Sequence, residues 1–145
     1  MEKIPGGFNK REGKASEHAI LTSRVIDRPM RPLFPKDYRN DVTLNNMVMS
    51  VDPECDPEVV AMLGSAIATC ISDIPFDGPC AMTQIGMIDG EFIVNPTLAQ
   101  KAVSDLKLTV ASTREKVIMI EAGAKEIPKA KMIDAIYKAH EVNQE

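Results

Sequence analysis

The first residues of the chain combine glycines, one aromatic ring and several cations, a combination suited to nucleic-acid chemistry. The segment reads Gly6-Gly7-Phe8-Asn9-Lys10-Arg11-Glu12-Gly13-Lys14. Glycines at both ends let the backbone approach a ligand closely, and Phe8 offers a face on which a base can stack. Phosphate contacts would come from the cations of the segment, which are Lys10, Arg11 and Lys14. The pattern predicts a loop that grips single-stranded RNA, and the alternative is an ordinary flexible surface loop.

A second group of cations follows within a predicted helix. Arg24, Arg28 and Arg31 are spaced i, i+4 and i+7, which places them on one helical face. Guanidinium groups in such a stripe can fork onto successive phosphates or line a charged channel. The alternative is a set of surface ion pairs, of which Asp27 with Arg31 is the most obvious.

The acidic and nucleophilic residues give weaker indications of chemistry. Asp73 and Asp77 flank a short turn-rich segment, and Asp77 and Asp89 are each followed by glycine. Paired carboxylates can bind magnesium or act as acid and base, but an aspartate before glycine is typical of a turn. No phosphate-loop, dinucleotide-binding or G-x-S-x-G pattern is present, and neither His18 nor His140 lies in a convincing triad. We therefore assign no catalytic residue and no metal ligand.

Size and charge fit a single domain that handles a polyanion. The chain has 145 residues, of which 44% are hydrophobic, so it can bury a sizeable core as one domain, residues 1–145. Residues 1–40 hold nine basic and five acidic side chains, although the whole chain has a net charge of −4. A basic segment on an acidic domain is typical of polyanion binding. No apolar run approaches the ~18 residues of a membrane helix, and we expect a cytoplasmic protein without a membrane partner.

The elements that must position these residues can be read from caps, turns and periodicity. Ser16 predicts the start of the arginine helix, which Pro29 disturbs and Pro32 ends. Residues 42–51 are predicted to form a strand, and Asp56-Pro57-Glu58 starts a second helix. A hairpin with Asp89-Gly90 at its turn, two more strands at 106–111 and 116–120, and a final helix from Pro128 follow.

This order of elements predicts an α+β fold, with helices packed on a mixed or antiparallel sheet. Because the chain opens on a loop, we expect that the domain lacks strands that belong before it. The three cysteines are predicted to be reduced thiols, with Cys70 on the buried face of the second helix and Cys55 exposed.

Several segments of the chain closely resemble the bacterial polynucleotide phosphorylase family. They are residues 4–8 (IPGGF), 10–13 (KREG), 21–35 (LTSRVIDRPMRPLFP), 72–79 (SDIPFDGP), 89–97 (DGEFIVNPT) and 121–126 (EAGAKE). The resemblance runs over nearly the whole chain, and the arginine-proline block is its most specific part. The chain looks like most of the first of the two RNase PH-like core domains of that family.

The resemblance implies a 3′-to-5′ phosphorolytic exoribonuclease, in which inorganic phosphate cleaves RNA to nucleoside diphosphates. Family members are homotrimeric rings with a central RNA channel, and Mg²⁺ (magnesium) assists catalysis. Their catalytic and metal-binding residues lie in the second core domain, so none is carried over to this chain. What carries over is RNA handling, by Phe8, Asn9, Lys10 and Arg11 at the channel constriction and by Arg24, Arg28 and Arg31. Asn9 stands where the family often has a second aromatic ring, so the grip depends more on the two cations that follow it.

Two alternatives stay open. The chain could be a non-catalytic RNA-binding or ring-assembly module of the same fold, since a fold does not fix an activity. It could also be a small-molecule enzyme that binds an anionic ligand at the arginine stripe, a hypothesis that predicts a phosphate or carboxylate site without RNA affinity.

Overall fold

Among the residues that the structure describes, four antiparallel strands form the centre of the fold. The computed structural model describes residues 15–52 and 54–145. The strands are β1 (Ala81–Ile88), β2 (Glu91–Val94), β3 (Leu106–Ser112) and β4 (Val117–Ala124), and their order in the sheet is β2-β1-β3-β4. Every neighbouring pair is antiparallel. The α+β fold with an antiparallel sheet is thereby confirmed.

Helices cover both faces of this sheet, because successive side chains of a strand point to opposite faces. The helices are α1 (Glu17–Met30), α2 (Pro57–Cys70), α3 (Leu98–Val103) and α4 (Lys129–Gln144). Met82 and Met119 join α1 and α2 in one apolar cluster, whereas Ile85 and Leu108 join α4 in another. The core is therefore divided into two layers, one on each side of the sheet.

The predicted hairpin is confirmed at its turn. β1 and β2 pair in the register Ile88 with Glu91, and the two residues between them both have positive φ, 51° at Asp89 and 82° at Gly90. Two such residues in a two-residue connection fit a type I′ turn, which matches the twist of the strands. Asp89 is therefore explained by its backbone role.

The predicted strand at residues 42–51 is wrong. This segment has no regular secondary structure, and most of its side chains are exposed. Its apolar residues do not alternate, so neither face of a strand would have been consistently apolar, and no described strand lies beside it in the sheet. Met49 is 85% exposed.

Three further details differ from the sequence-based expectations. Cys70 is exposed, because α2 buries the face that carries Met62, Ser65 and Thr69 rather than its more apolar face. The short helix α3 was not predicted, although Thr97 and Gln100 form a capping box that satisfies its first N–H groups. β4 also extends four residues beyond the predicted end, to Ala124.

Candidate nucleic-acid interface

Helix α1 positions the three arginines because its opposite face is anchored in the core. The Ser16 hydroxyl accepts a hydrogen bond of 3.2 Å from the backbone N–H of Ala19 and caps the helix as predicted. Ile26, Pro29 and Met30 are buried on the inner face. At 100° per residue, a side chain four or seven positions from Arg24 returns to the same outer face.

All three arginines are exposed on that outer face, as their spacing predicted. They form what we call the arginine stripe, Arg24, Arg28 and Arg31. Pro29 does not break the helix, since it lies in the last turn, and a 3₁₀ turn at Arg31–Leu33 continues the chain. The stripe is thus a solvent-facing row of cations on a core-anchored helix.

Arg31 is held by the ion pair that the sequence offered as the alternative. Its Nε donates to Asp27 Oδ1 at 3.2 Å and its Nη2 donates to Asp27 Oδ2 at 2.5 Å. The hydrogen bond and charge of Asp27 raise the pKa of Arg31 above its ordinary value. Among residues 15–52 and 54–145, Arg24 and Arg28 form no comparable pair. Within the described part of the chain, the positive charge of the stripe is therefore least compensated at Arg24 and Arg28.

A cavity of about 880 Å³ lies between α1 and the chain that follows it. Its walls include cations of the stripe and of the following segment, Arg24, Arg31 and Lys36, together with the Tyr38 ring. These three cations outnumber the two carboxylates of the lining, Asp27 and Asp41. A cavity with an excess of cations can accept a phosphate-bearing ligand. Sequence reasoning did not single out Lys36 or Tyr38, since their position beside α1 depends on how residues 34–46 fold back.

The other predicted RNA contacts cannot be placed beside this cavity. Phe8, Asn9, Lys10, Arg11 and Lys14 lie outside the described residues. Lys14 precedes the first residue of α1 by three positions in the sequence.

A network that sequence reasoning missed ties α1 to the rest of the molecule. The Glu58 carboxylate at the start of α2 accepts a hydrogen bond of 3.0 Å from Thr22 of α1 and one of 3.2 Å from Gln84 of β1. Thr22 lies on a different helical face from the stripe. The network therefore fixes the inner side of α1 and leaves the arginines outward.

The structure also joins a histidine and a serine that the sequence left apart. His140 Nδ1 lies 3.0 Å from Ser112 Oγ, and Asn143 donates to the same hydroxyl at 2.8 Å. Ser112 is only 1% exposed, so its hydroxyl is not accessible as a nucleophile. These contacts anchor the end of α4 on the sheet.

The candidate acidic residues do not converge. Within the described part of the chain, no three side chains of histidine, cysteine, aspartate or glutamate are placed to hold a metal ion. Asp77 contributes a backbone N–H that donates to the Leu33 carbonyl at 2.8 Å, as expected of a connector residue.

None of the helices that the structure describes has the length and apolar character needed to span a membrane.

The chain matches two models that describe domains of one protein family. Residues 2–75 match the model of the 3′ exoribonuclease family, domain 1, and residues 78–142 match that of the same family's domain 2. The chain belongs to the 3′ exoribonuclease family.

Its curated relatives are polyribonucleotide nucleotidyltransferases. The protein of Lachnoclostridium phytofermentans is 80% identical over 143 residues, which cover 99% of this chain and 20% of the relative. That of Shouchella clausii is 60% identical over 139 residues, 96% of this chain and again 20% of the relative. The chain thus spans about one fifth of the length of the relatives that it matches, and the predicted resemblance is confirmed.

Solved structures confirm the fold. Rice (Oryza sativa) Rrp46 superposes with a TM-score of 0.70 at 12% identity, over 91% of this chain and 63% of that one. A chain of the Archaeoglobus fulgidus exosome with RNA bound to the active site gives a TM-score of 0.63 at 12% identity, over 92% and 62%. At this identity the likeness concerns the fold alone.

Proposed function

We propose that this chain is the first RNase PH-like core domain of a 3′-to-5′ phosphorolytic exoribonuclease and serves there as scaffold and RNA grip. The family membership and the 80% identity to a polyribonucleotide nucleotidyltransferase support this. In the proposed reaction an oxygen of inorganic phosphate attacks the terminal phosphodiester of RNA. The bond between that phosphorus and the 3′ oxygen of the preceding nucleotide breaks, and the terminal nucleotide leaves as a nucleoside diphosphate.

The observation that carries the RNA-gripping role is the exposed arginine stripe on α1. Three guanidinium groups lie on one face of a helix that is anchored in the core. They form a row of hydrogen-bond donors that can contact phosphate oxygens. The segment with Phe8, Asn9, Lys10, Arg11 and Lys14 would add stacking and further cations to the RNA grip.

The proposed parent enzyme is a cytoplasmic homotrimer that uses Mg²⁺. The described residues of this chain do not supply a carboxylate set that fits the ion. Magnesium would therefore be held elsewhere in the parent, and no catalytic step is assigned to a residue of this chain. The same proposal treats residues 1–145 as one domain.

RNA binding is tested by titrating a labelled oligoadenylate with the 145-residue chain at about 50 and about 200 mM salt. We expect affinity to fall with salt, because each phosphate that a cation neutralises releases counterions. The double variant Arg24→Ala, Arg28→Ala should lower the affinity. It should also reduce the salt slope by about 0.7 for each phosphate that the variant no longer neutralises.

Lys129→Ala with Lys131→Ala is the matched control, since it removes two exposed cations near the start of α4, which packs on the other side of the sheet. Equal weakening of binding in the control and the stripe variant would contradict a specific role for the stripe. Tight binding of inorganic phosphate without salt-sensitive RNA binding would instead favour the small-anion alternative.

The isolated chain is predicted to be inactive in phosphorolysis. We expect no nucleoside diphosphate when the 145-residue chain is incubated with poly(A), inorganic phosphate and Mg²⁺, because the phosphate and metal residues of the family lie in its second core. Release of labelled ADP above the level of a heat-denatured control would show that these 145 residues hold a complete active site.

A further inference from the structure

The cavity beside α1 has walls that suit more than phosphate. Its volume of about 880 Å³ lies within the range of roughly 300–1,000 Å³ typical of ligand sites. Its lining includes the cations Arg24 and Lys36 and the Tyr38 ring. Cations and an aromatic ring in the same lining match the phosphate and the base of a nucleotide.

The Tyr38 ring is supported from behind. It stacks on Phe34 with ring centroids 6.4 Å apart and an interplanar angle of 26°, and Phe34 in turn contacts Phe76 at 5.2 Å. Phe34 and Phe76 both pack against the core cluster of α1 and α2. The backbone N–H of Tyr38 also donates to the Pro35 carbonyl at 3.1 Å. A half-buried ring held in this way needs little reorganisation to stack on a base.

The polar groups of the cavity are suited to the edge of a base. Asn40, Asp41 and Asn46 line it, and amide and carboxylate groups can pair with the exposed edges of an unstacked base. The Asn46 side chain is oriented from the core, since its Oδ1 accepts a hydrogen bond of 3.0 Å from the buried Ser65 hydroxyl. One polar contact is therefore positioned before any ligand arrives.

We propose that this cavity binds one ribonucleotide of a single-stranded RNA, with the base stacked on Tyr38 and the phosphate on Arg24 and Lys36. This inference rests on the proposed RNA-binding function and adds a base-recognising site to it. The stripe alone would read only the charged backbone, whereas the cavity makes binding depend on the presence of a base.

The test compares two strands of equal length, a labelled oligoadenylate and an abasic ribose-phosphate strand, on the 145-residue chain. Tyr38→Leu should weaken oligoadenylate binding about tenfold, the loss expected for one stacked base, and leave the abasic strand unchanged. The affinity of Tyr38→Phe for oligoadenylate should stay within about twofold of that of the unmutated chain, because the stacking ring is kept. Tyr137→Leu is the matched control, since this exposed tyrosine lies on α4.

The ratio of the two affinities within each variant removes the effect of any general loss of fold, which circular dichroism would report separately. Suppose that Tyr38→Leu leaves this ratio of affinities unchanged while the arginine-stripe variants still bind RNA more weakly. The nucleotide site in the cavity is then wrong, and the proposed RNA-binding function still stands. If the unmutated 145-residue chain binds neither strand, both proposals fail. ADP competition that depends on Tyr38 would support the nucleotide site and identify a free nucleotide as its occupant.

Discussion

Single residues of α1 share a face but differ in what surrounds them. Arg24 and Arg31 both line the cavity, and Arg31 also donates two hydrogen bonds to Asp27. An exposed pair such as Arg31 with Asp27 contributes little to stability. Its main effect is to reduce the charge that Arg31 offers to a phosphate, so Arg24 and Arg28 are the better targets for mutation.

The three thiols should differ sharply in reactivity. Burial, with a smaller effect of the neighbouring Cys70, raises the pKa of Cys80 to about 11, and its side chain is 2% exposed. Since the thiolate is the nucleophile, Cys80 at pH 8 should react roughly 100-fold more slowly than a thiol of ordinary pKa. We expect alkylation of the native chain to modify Cys55 and Cys70 and to spare Cys80.

Peptide mass spectrometry after a short iodoacetamide pulse measures this directly. Unfolding in denaturant should make all three thiols react, which serves as the control. Rapid labelling of Cys80 in the native chain would mean that the sheet opens at β1 on the time scale of the pulse.

At the scale of elements, Asp56 connects the start of α2 to α3. Its side chain caps α2 by accepting from the Glu58 N–H at 3.0 Å, and Lys101 of α3 donates to it at 2.5 Å. Burial alone would raise the pKa of Asp56, but the hydrogen bonds from Lys101 and Glu58 lower it below 3.8. A depressed pKa gives stability that is present above the unfolded value and is lost as pH falls through the folded value.

The Asp56→Asn variant should therefore be less stable than the parent chain at pH 7, and the difference should vanish in acid below the folded pKa. Asparagine keeps the capping oxygen, so the pH-dependent part isolates the ion pair. Asp56→Ala should lose a further ~1 kcal/mol with the cap. Urea unfolding at several pH values measures both effects.

Asp105→Asn provides the comparison, because its pair with Lys125 is exposed and 3.5 Å long. It should change stability by well under about 1 kcal/mol at any pH. A pH-independent loss of stability in Asp56→Asn would show that the ion pair with Lys101 does not form in solution.

At the scale of the whole molecule, one large apolar surface faces solvent. It is formed by the outer face of α2 and the adjoining segment, which we call the α2 surface: Met47, Val48, Met49, Val51, Val60, Leu63, Ile67 and Ile71. Ile71 is 82% exposed. Patches of this kind mark interaction sites or drive association.

The expectation that further strands belong to this domain stays a prediction.

The α2 surface predicts that the 145-residue chain self-associates and binds the dye ANS. Ile67→Lys with Ile71→Lys should reduce both, with a small effect on unfolding, because these side chains are already half or more exposed. Ile85→Ala, at a side chain that is 1% exposed, should instead cost about 2–5 kcal/mol. Sedimentation velocity and ANS fluorescence provide the measurements, and unchanged dye binding in the lysine variant would place the apolar surface elsewhere.

The sequence by itself determined the features that depend on local chemistry. The Ser16 and Asp56 caps, the Asp89-Gly90 turn and the one-face spacing of the arginine stripe all follow from near neighbours in the chain. Such signals act within two turns of helix or a single turn of the chain, so they can be read without knowing the distant contacts. The family resemblance, carried by long motifs, was equally readable.

Only the tertiary structure decided which apolar residues are buried. α2 has apolar side chains on more than one face, and periodicity alone could not tell that Met62 points inward while Ile67 and Cys70 point outward. Residues 42–51 have strand-like composition, but a strand needs a partner that local sequence does not specify. The cavity at Tyr38 likewise depends on residues 34–46 folding back against α1. Burial and pairing are properties of distant contacts, and those contacts exist only once the chain has folded.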